Sequence, residues 1–103
     1  MRDTPPMDTD STPSRSVTRR DDRGRYELDV DGDVVAFAGF SQHDDAITIP
    51  YIETHVSHRG NGYSSVLMDG VIDDLRARNA LVRATCPVAR AYIVANAPEL
   101  LAR

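Results

Sequence analysis

A glycine loop stands between an apolar, strand-like run and a stretch with helical spacing: Arg59, Gly60, Asn61, Gly62, Tyr63 and Ser64. Glycine lacks the Cβ atom that would keep a ligand away from the backbone, so two glycines allow a close approach. The first N–H groups of a following helix have no partner inside the helix and favour an anion. The order of strand, glycine loop and helix therefore predicts a phosphate-binding loop.

The loop does not match two other glycine-rich nucleotide-binding motifs. An ordinary tight turn is the alternative to a phosphate-binding loop. No Gly-Lys-Ser/Thr follows, so the loop is not a Walker loop. Val66 or Leu67 stands where a dinucleotide-binding fingerprint needs its third small residue. The meaning of the loop therefore depends on the elements around it.

Apolar runs in the first half of the chain predict three strands, at residues 25–30, 34–40 and 46–53. The connections are too short for a crossover, and one of them is the turn signal Asp31-Gly32, so the strands form an antiparallel meander. Alternation in the third strand predicts that four side chains share one face: Ile47, Ile49, Tyr51 and Glu53.

The second half of the chain predicts helix, strand and helix. Apolar residues recur with helical spacing over residues 62–78, a short strand follows over 80–85, and Pro87 begins a second helix that ends before Pro98. The third and fourth strands are joined through a helix, so we expect them to be parallel. The fold class is mixed α/β (α+β), in the order β-β-β-α-β-α.

The composition of the chain indicates the extent of the folded domain, the class of partner and the cellular compartment. Residues 1–22 are polar and contain no aromatic residue, which predicts a disordered tail before a folded domain over 23–103. The net charge of −4 argues against nucleic acid as the main partner. A single cysteine and the lack of an 18-residue apolar run predict a cytoplasmic protein with no disulfide and no membrane segment.

Several short motifs of the chain match one family. Arg59, Gly62 and Ser64 fit its Arg/Gln-x-x-Gly-x-Gly/Ala loop, although serine departs from the last position. The other matching motifs are Tyr51-Ile52-Glu53-Thr54, Cys86-Pro87-Val88, Tyr92-Ile93 and Pro98-Glu99. Over about residues 25–100 the chain resembles the GNAT N-acetyltransferases, in particular their minimal, single-domain, YjdJ-like branch.

The resemblance implies a GNAT-like mixed sheet with acetyl-CoA as the cosubstrate and no metal. Backbone N–H groups from Arg59 to Ser64 would hold the pyrophosphate, and the third and fourth strands would splay to admit the pantetheine arm. His55 and His58 flank the loop, but two histidines with no third ligand nearby make a poor metal site.

The resemblance also implies an amine-bearing acceptor. Larger GNAT enzymes wall the acceptor site with elements that have no counterpart here, so we expect an open acceptor side. An open site suits a protein side chain or N-terminus as the acceptor, or else requires a partner subunit to complete it. A homodimer is therefore an open alternative.

Three residues are candidates for the proton transfers of acetyl transfer. Cys86 precedes Pro87 at a predicted helix start, where the helix dipole would lower its thiol pKa; its alternative is a buried small residue. Tyr92 resembles the GNAT tyrosine that protonates the departing thiolate, or else is a core aromatic residue. Glu53 would be a general base, or else the ion-pair partner of an arginine such as Arg59.

Two other function classes stay open beside the enzyme. A CoA-binding or acyl-sensing module with little turnover would share the loop without needing a reactive Cys86. A protein-interaction domain with a degenerate GNAT site is favoured by two departures from the family pattern, Ser64 in the loop and Tyr51 in place of a histidine.

Overall fold

The computed structural model of the protein describes residues 15–44, 46–58, 60 and 62–102. Its five strands are β1 Arg15–Arg20, β2 Arg25–Val30, β3 Asp33–His43, β4 Ala46–Thr54 and β5 Leu81–Ala84. Its two α-helices are α1 Tyr63–Arg78 and α2 Pro87–Asn96, and short 3-10 helices cover Val56–His58 and Pro98–Leu100. The predicted mixed α/β fold is confirmed.

The strands form one sheet in the order β1-β2-β3-β4-β5. The first four are antiparallel neighbours, and β4 and β5 are parallel because α1 connects them. Asp31 and Gly32 both have positive φ, 52° and 91°, as a tight hairpin turn requires. The predicted meander and the parallel pair are therefore confirmed.

The strand β1 corrects the prediction of a disordered tail over residues 1–22. It pairs with β2 along its whole length, from Arg15 opposite Val30 to Arg20 opposite Arg25. Composition hid this edge strand because it contributes a single aliphatic side chain to the core. Residues 1–14 lie outside the described part of the chain.

Contact with the first helix holds β1 in place. Val17 packs so closely against Gly70 of α1 that a Cβ atom at Gly70 would overlap the Val17 side chain. The order of elements is therefore β-β-β-β-α-β-α, with one strand more than predicted.

Both helices pack on the same face of the sheet. The buried side of α1 consists of Leu67, Met68, Val71, Ile72 and Leu75. These side chains form one hydrophobic core with the sheet and with Ala89 and Ile93 of α2. The opposite face of the sheet carries no helix in the described part of the chain, and we call it the open face.

A bulge interrupts β4 in the middle. Thr48 pairs with Ser41 of β3, and Tyr51 pairs with Gly39, so β4 carries one residue more than β3 across this interval. Pro50 lies within the bulge, where the missing N–H costs no ladder hydrogen bond.

The extra residue reverses which side chains of β4 face the helices. Ile47 and Ile49 are fully buried in the core, whereas the rings of Tyr51 and Phe37 meet on the open face in a T-shaped arrangement, with 6.0 Å between their centroids. Glu53, two residues beyond Tyr51, lies on the open face too and is exposed. The prediction that these four residues share one face is therefore wrong, and Pro50 was the sequence signal for the bulge.

A buried carboxylate lies beneath the open face. Glu27 of β2 is 1% exposed and accepts hydrogen bonds from Arg20 at 3.3 Å, Arg23 at 3.0 Å and Arg25 at 2.7 Å. Burial alone would raise the pKa of Glu27, but the arginine hydrogen bonds outweigh it and hold the pKa below its ordinary value of 4.5. Glu27 therefore stabilises the fold above pH 4.5, and this contribution is lost as pH falls through the lower, folded pKa.

We expect Glu27→Gln to lower the free energy of unfolding by about 1.5–3 kcal/mol, because it removes the buried charge to which three partly exposed arginines donate hydrogen bonds. The matched control is Glu99→Gln, since the Glu99–Arg76 ion pair is exposed and should matter little. Urea unfolding at about pH 7 and at steps down to about pH 2 measures both effects. A Glu27→Gln protein with wild-type stability and wild-type acid sensitivity would contradict this account.

Candidate functional site

The strands β4 and β5 separate halfway along β4. Their pairing ends where Ile49 lies opposite Ala84. The N–H groups of Thr85 and Cys86 both donate to the Ile49 carbonyl, at 3.1 and 3.2 Å. From there to Thr54, β4 is paired with β3 on its other side. No strand of the described chain pairs with this edge beyond Ile49, which is the splay that the resemblance implies.

A groove of about 290 Å³ follows the separated edge on the helix side, and we call it the splay groove. Its lining residues are Ile52, Glu53, Thr54, Ser64 and Val88. Ser64 lies in the first turn of α1 and Val88 in the first turn of α2, so the groove is bounded by the starts of both helices.

The glycine loop leads into the start of α1. Gly60 and Gly62 have φ of +88° and +73°, and, chain neighbours aside, no atom of the described residues lies within 4 Å of where a Cβ atom would stand at either glycine. Gly62 caps α1 without a side-chain hydrogen bond, and the first turn contains no acidic residue. This end of α1 can therefore receive an anion. Arg59 and Asn61 lie outside the described residues.

Arg15 adds positive charge at the same end of α1. Its guanidinium carbon is 5.7 Å from the centroid of the Tyr63 ring, and Tyr63 is the first residue of the helix. Sequence reasoning missed Arg15 because it assigned this part of the chain to the tail, and no local pattern indicates which helix an edge strand will contact.

Cys86 lies where the sequence predicts it, directly before the first helical residue of α2. Its side chain belongs to the hydrophobic core and is 8% exposed. A buried thiol has limited access to a substrate. The burial supports the packing alternative, and a catalytic role for Cys86 stays a prediction.

Tyr92 lies on α2 and its hydroxyl donates a hydrogen bond to the carboxylate of Asp69 on α1. This hydrogen bond, together with partial burial, raises the pKa of Tyr92 to about 12. Tyr92 is not among the residues that line the splay groove. Sequence reasoning missed Asp69 as its partner because an exposed helical aspartate carries no signal of its own.

Glu53 connects the splay groove with a second groove, of about 440 Å³, on the open face. The open-face groove is lined by Arg25, Val34, Phe37, Glu53, Thr54 and Val56, among others. Glu53 and Thr54 line both grooves, so the end of β4 separates them. Glu53 forms no ion pair with the described residues, and its alternative partner Arg59 lies outside them.

A metal ion would need several ligands close together in the described residues. No group of three or more His, Cys, Asp or Glu side chains there could hold a metal ion. His55 instead contacts Ser57, with 2.9 Å between Nδ1 and Oγ. None of the helices in residues 15–102 that the structure describes is long and apolar enough to span a bilayer.

The fold is similar to the crystal structure of a ribosomal-protein-alanine N-acetyltransferase from Brucella melitensis biovar Abortus 2308. The TM-score is 0.57 at 22% sequence identity, over 77% of this chain and 61% of that chain. At this identity the likeness is one of fold, and no curated protein matches the sequence. Assignment to the YjdJ-like branch stays a prediction. The family model described as GCN5-related N-acetyl-transferase matches residues 25–101, and the chain therefore belongs to the GCN5-related N-acetyltransferase (GNAT) family.

Proposed function

We propose that the protein transfers the acetyl group of acetyl-CoA to an amine, on a protein side chain or a protein N-terminus. The observation that carries this proposal is the meeting of two grooves at Glu53 and Thr54. One groove lies beside the starts of both helices, and the other opens on the helix-free face of the sheet. A donor and an acceptor can therefore approach the end of β4 from opposite faces. A cytoplasmic location, which the single free cysteine favours, belongs to the same proposal.

The residues around the splay groove fit acetyl-CoA, which supplies an activated thioester. The open space at Gly60 and Gly62 and the uncapped start of α1 suit the pyrophosphate. The edge of β4 beyond Ile49 has no strand partner in the described chain and suits the amide groups of the pantetheine arm. An extended arm would then hydrogen-bond there as an added strand does.

Glu53 is the best-placed proton acceptor for the amine. It is exposed, lines both grooves and forms no ion pair with the described residues. Transfer forms a C–N bond and breaks the thioester C–S bond, while the amine gives up a proton to the carboxylate and the leaving thiolate takes up a proton. A carboxylate at this position can hold the first of these protons.

Tyr92 is the proposed proton donor to the thiolate. Its phenol stays protonated at neutral pH, as an acid requires, but its hydrogen bond goes to Asp69. The hydroxyl must therefore leave Asp69 before it can reach the thiolate. Cys86, close to the point where the strands separate, is the alternative proton relay or nucleophile.

A CoA-binding module with little turnover is the second candidate function. The burial of Cys86 and the engagement of Tyr92 by Asp69 favour it, because both place a proposed catalytic group away from the splay groove. The acetyltransferase and the CoA-binding module would both bind acetyl-CoA, so only a measurement of turnover distinguishes them.

We expect acetyl-CoA at about 100 times its dissociation constant to stabilise the folded protein by about 2.7 kcal/mol. Gly62→Val should abolish this gain, because a β-branched side chain would occupy the space open to a phosphate. Gly32→Val is the matched control: Gly32 also has positive φ with nothing within 4 Å, but lies in the β2–β3 turn. Thermal unfolding with and without acetyl-CoA measures both variants. If acetyl-CoA stabilised Gly62→Val as much as Gly32→Val, the loop around Gly62 would not be the phosphate-binding loop.

We expect Glu53→Gln to lower the turnover number by about 10²–10⁴-fold while acetyl-CoA still stabilises the protein, because the carboxylate acts on the amine rather than on CoA binding. Glu99→Gln, at an exposed ion pair far along the chain, is the control. Thiol release with a panel of peptides bearing free N-termini or lysines measures turnover. A Glu53→Gln protein that retains full turnover would exclude Glu53 as the base.

The variants Cys86→Ala and Tyr92→Phe assign the other two groups in the same assay. Lower turnover with undiminished acetyl-CoA stabilisation assigns the residue to the chemistry. A lower melting temperature with normal turnover assigns it to packing.

A further inference from the structure

Resting on the proposed function, we propose that Arg25 makes the open-face groove select amines that carry a carboxylate nearby, such as a protein N-terminus followed by an acidic residue. Arg25 lines this groove together with Glu53, the proposed base. Arg25 would be a specificity-determining residue that binds the acceptor and takes no part in the proton transfers.

The Arg25 side chain is held in place by two contacts. Its Nε atom donates to the buried Glu27 carboxylate at 2.7 Å, and its guanidinium carbon lies 4.4 Å from the centroid of the Phe37 ring. These contacts leave the side chain 29% exposed. A guanidinium fixed in this way loses little conformational freedom when it binds a ligand.

The outer part of the guanidinium stays available. The two terminal nitrogens of Arg25 have no hydrogen-bond partner among the described residues, since its one polar contact there is through Nε. A guanidinium edge with two N–H donors matches the two oxygens of a carboxylate. Arg20 and Arg23 also surround Glu27, so three positive charges meet one buried negative charge on this side of the groove.

The register of the sheet places Arg25 within reach of the same acceptor as Glu53. Phe37, on which Arg25 stacks, is the direct cross-strand partner of Glu53. Arg25 on β2 and Glu53 on β4 therefore lie on either side of Phe37 on the open face, two strand spacings or about 10 Å apart. An acceptor whose amine and carboxylate are a few bonds apart can contact both, with its aliphatic atoms against Phe37 and Val34.

Two peptide probes test this inference: Ala-Asp-Ala amide and Ala-Asn-Ala amide, which differ by one carboxylate. We expect the wild-type protein to acetylate the Asp peptide with a kcat/KM about tenfold or more above that of the Asn peptide. Arg25→Gln should bring this ratio close to one by raising KM for the Asp peptide. Arg83→Gln is the matched control, because Arg83 is an exposed arginine of β5 that lines neither groove.

Acetyl-CoA stabilisation of each variant shows whether it is folded. Should Arg25→Gln not fold, Arg25→Lys replaces it and should also lower the ratio, since an ammonium group cannot pair with both oxygens. Equal kcat/KM values for the two peptides in the wild type, or an undiminished ratio in the Arg25 variant, overturn the inference and leave the acetyltransferase proposal intact. Acetylation of neither peptide by a protein that acetyl-CoA stabilises also overturns it. Absence of both stabilisation and turnover contradicts the proposed function itself.

Discussion

The bulge at Pro50 in β4 decides where the groups of both grooves lie. Because one extra residue shifts the alternation, the strand buries Ile47 and Ile49 beneath the helices and then presents Glu53 on the opposite face. The end of β5 at Ala84 leaves the rest of β4 without a partner on that side in the described chain. The side chains of β4 thus change face close to the point where β5 ends. In our proposal the donor and the acceptor lie on opposite faces of β4, and Glu53 can contact both.

The buried Glu27 gives the open face its order and its charge. A carboxylate with 1% exposure must be paired, and three arginines from β1, β2 and the turn between them pair with it. Arg25 is consequently fixed beside Phe37 rather than extended into solvent. In our proposal, Arg25 therefore both pairs with the buried Glu27 and supplies the positive charge of the acceptor groove.

Local patterns predicted most of the fold, and long-range contacts account for the errors. Spacing gave β2 to β5 and both helices to within a few residues, and Cys86 is the N-cap residue that Pro87 indicates. Polar composition hid β1, since its place depends on the fit of Val17 against Gly70, 53 positions along the chain. The partner of Tyr92 on α1 and the stacking of Arg25 on Phe37 depend equally on how distant elements meet. The prediction from alternation was wrong for Glu53 because the bulge at Pro50 shifts the pairing of β4 with β3 by one residue.

In our proposal acetyl-CoA binds along the unpaired edge of β4, and backbone hydrogen–deuterium exchange would detect such binding. Exchange would be followed by mass spectrometry with and without saturating CoA. We expect slower exchange in residues 51–54 of β4 and in the first turn of α1, with no change at the Asp31-Gly32 turn. Unchanged exchange in residues 51–54, with protection confined to another part of the protein, would contradict this proposal.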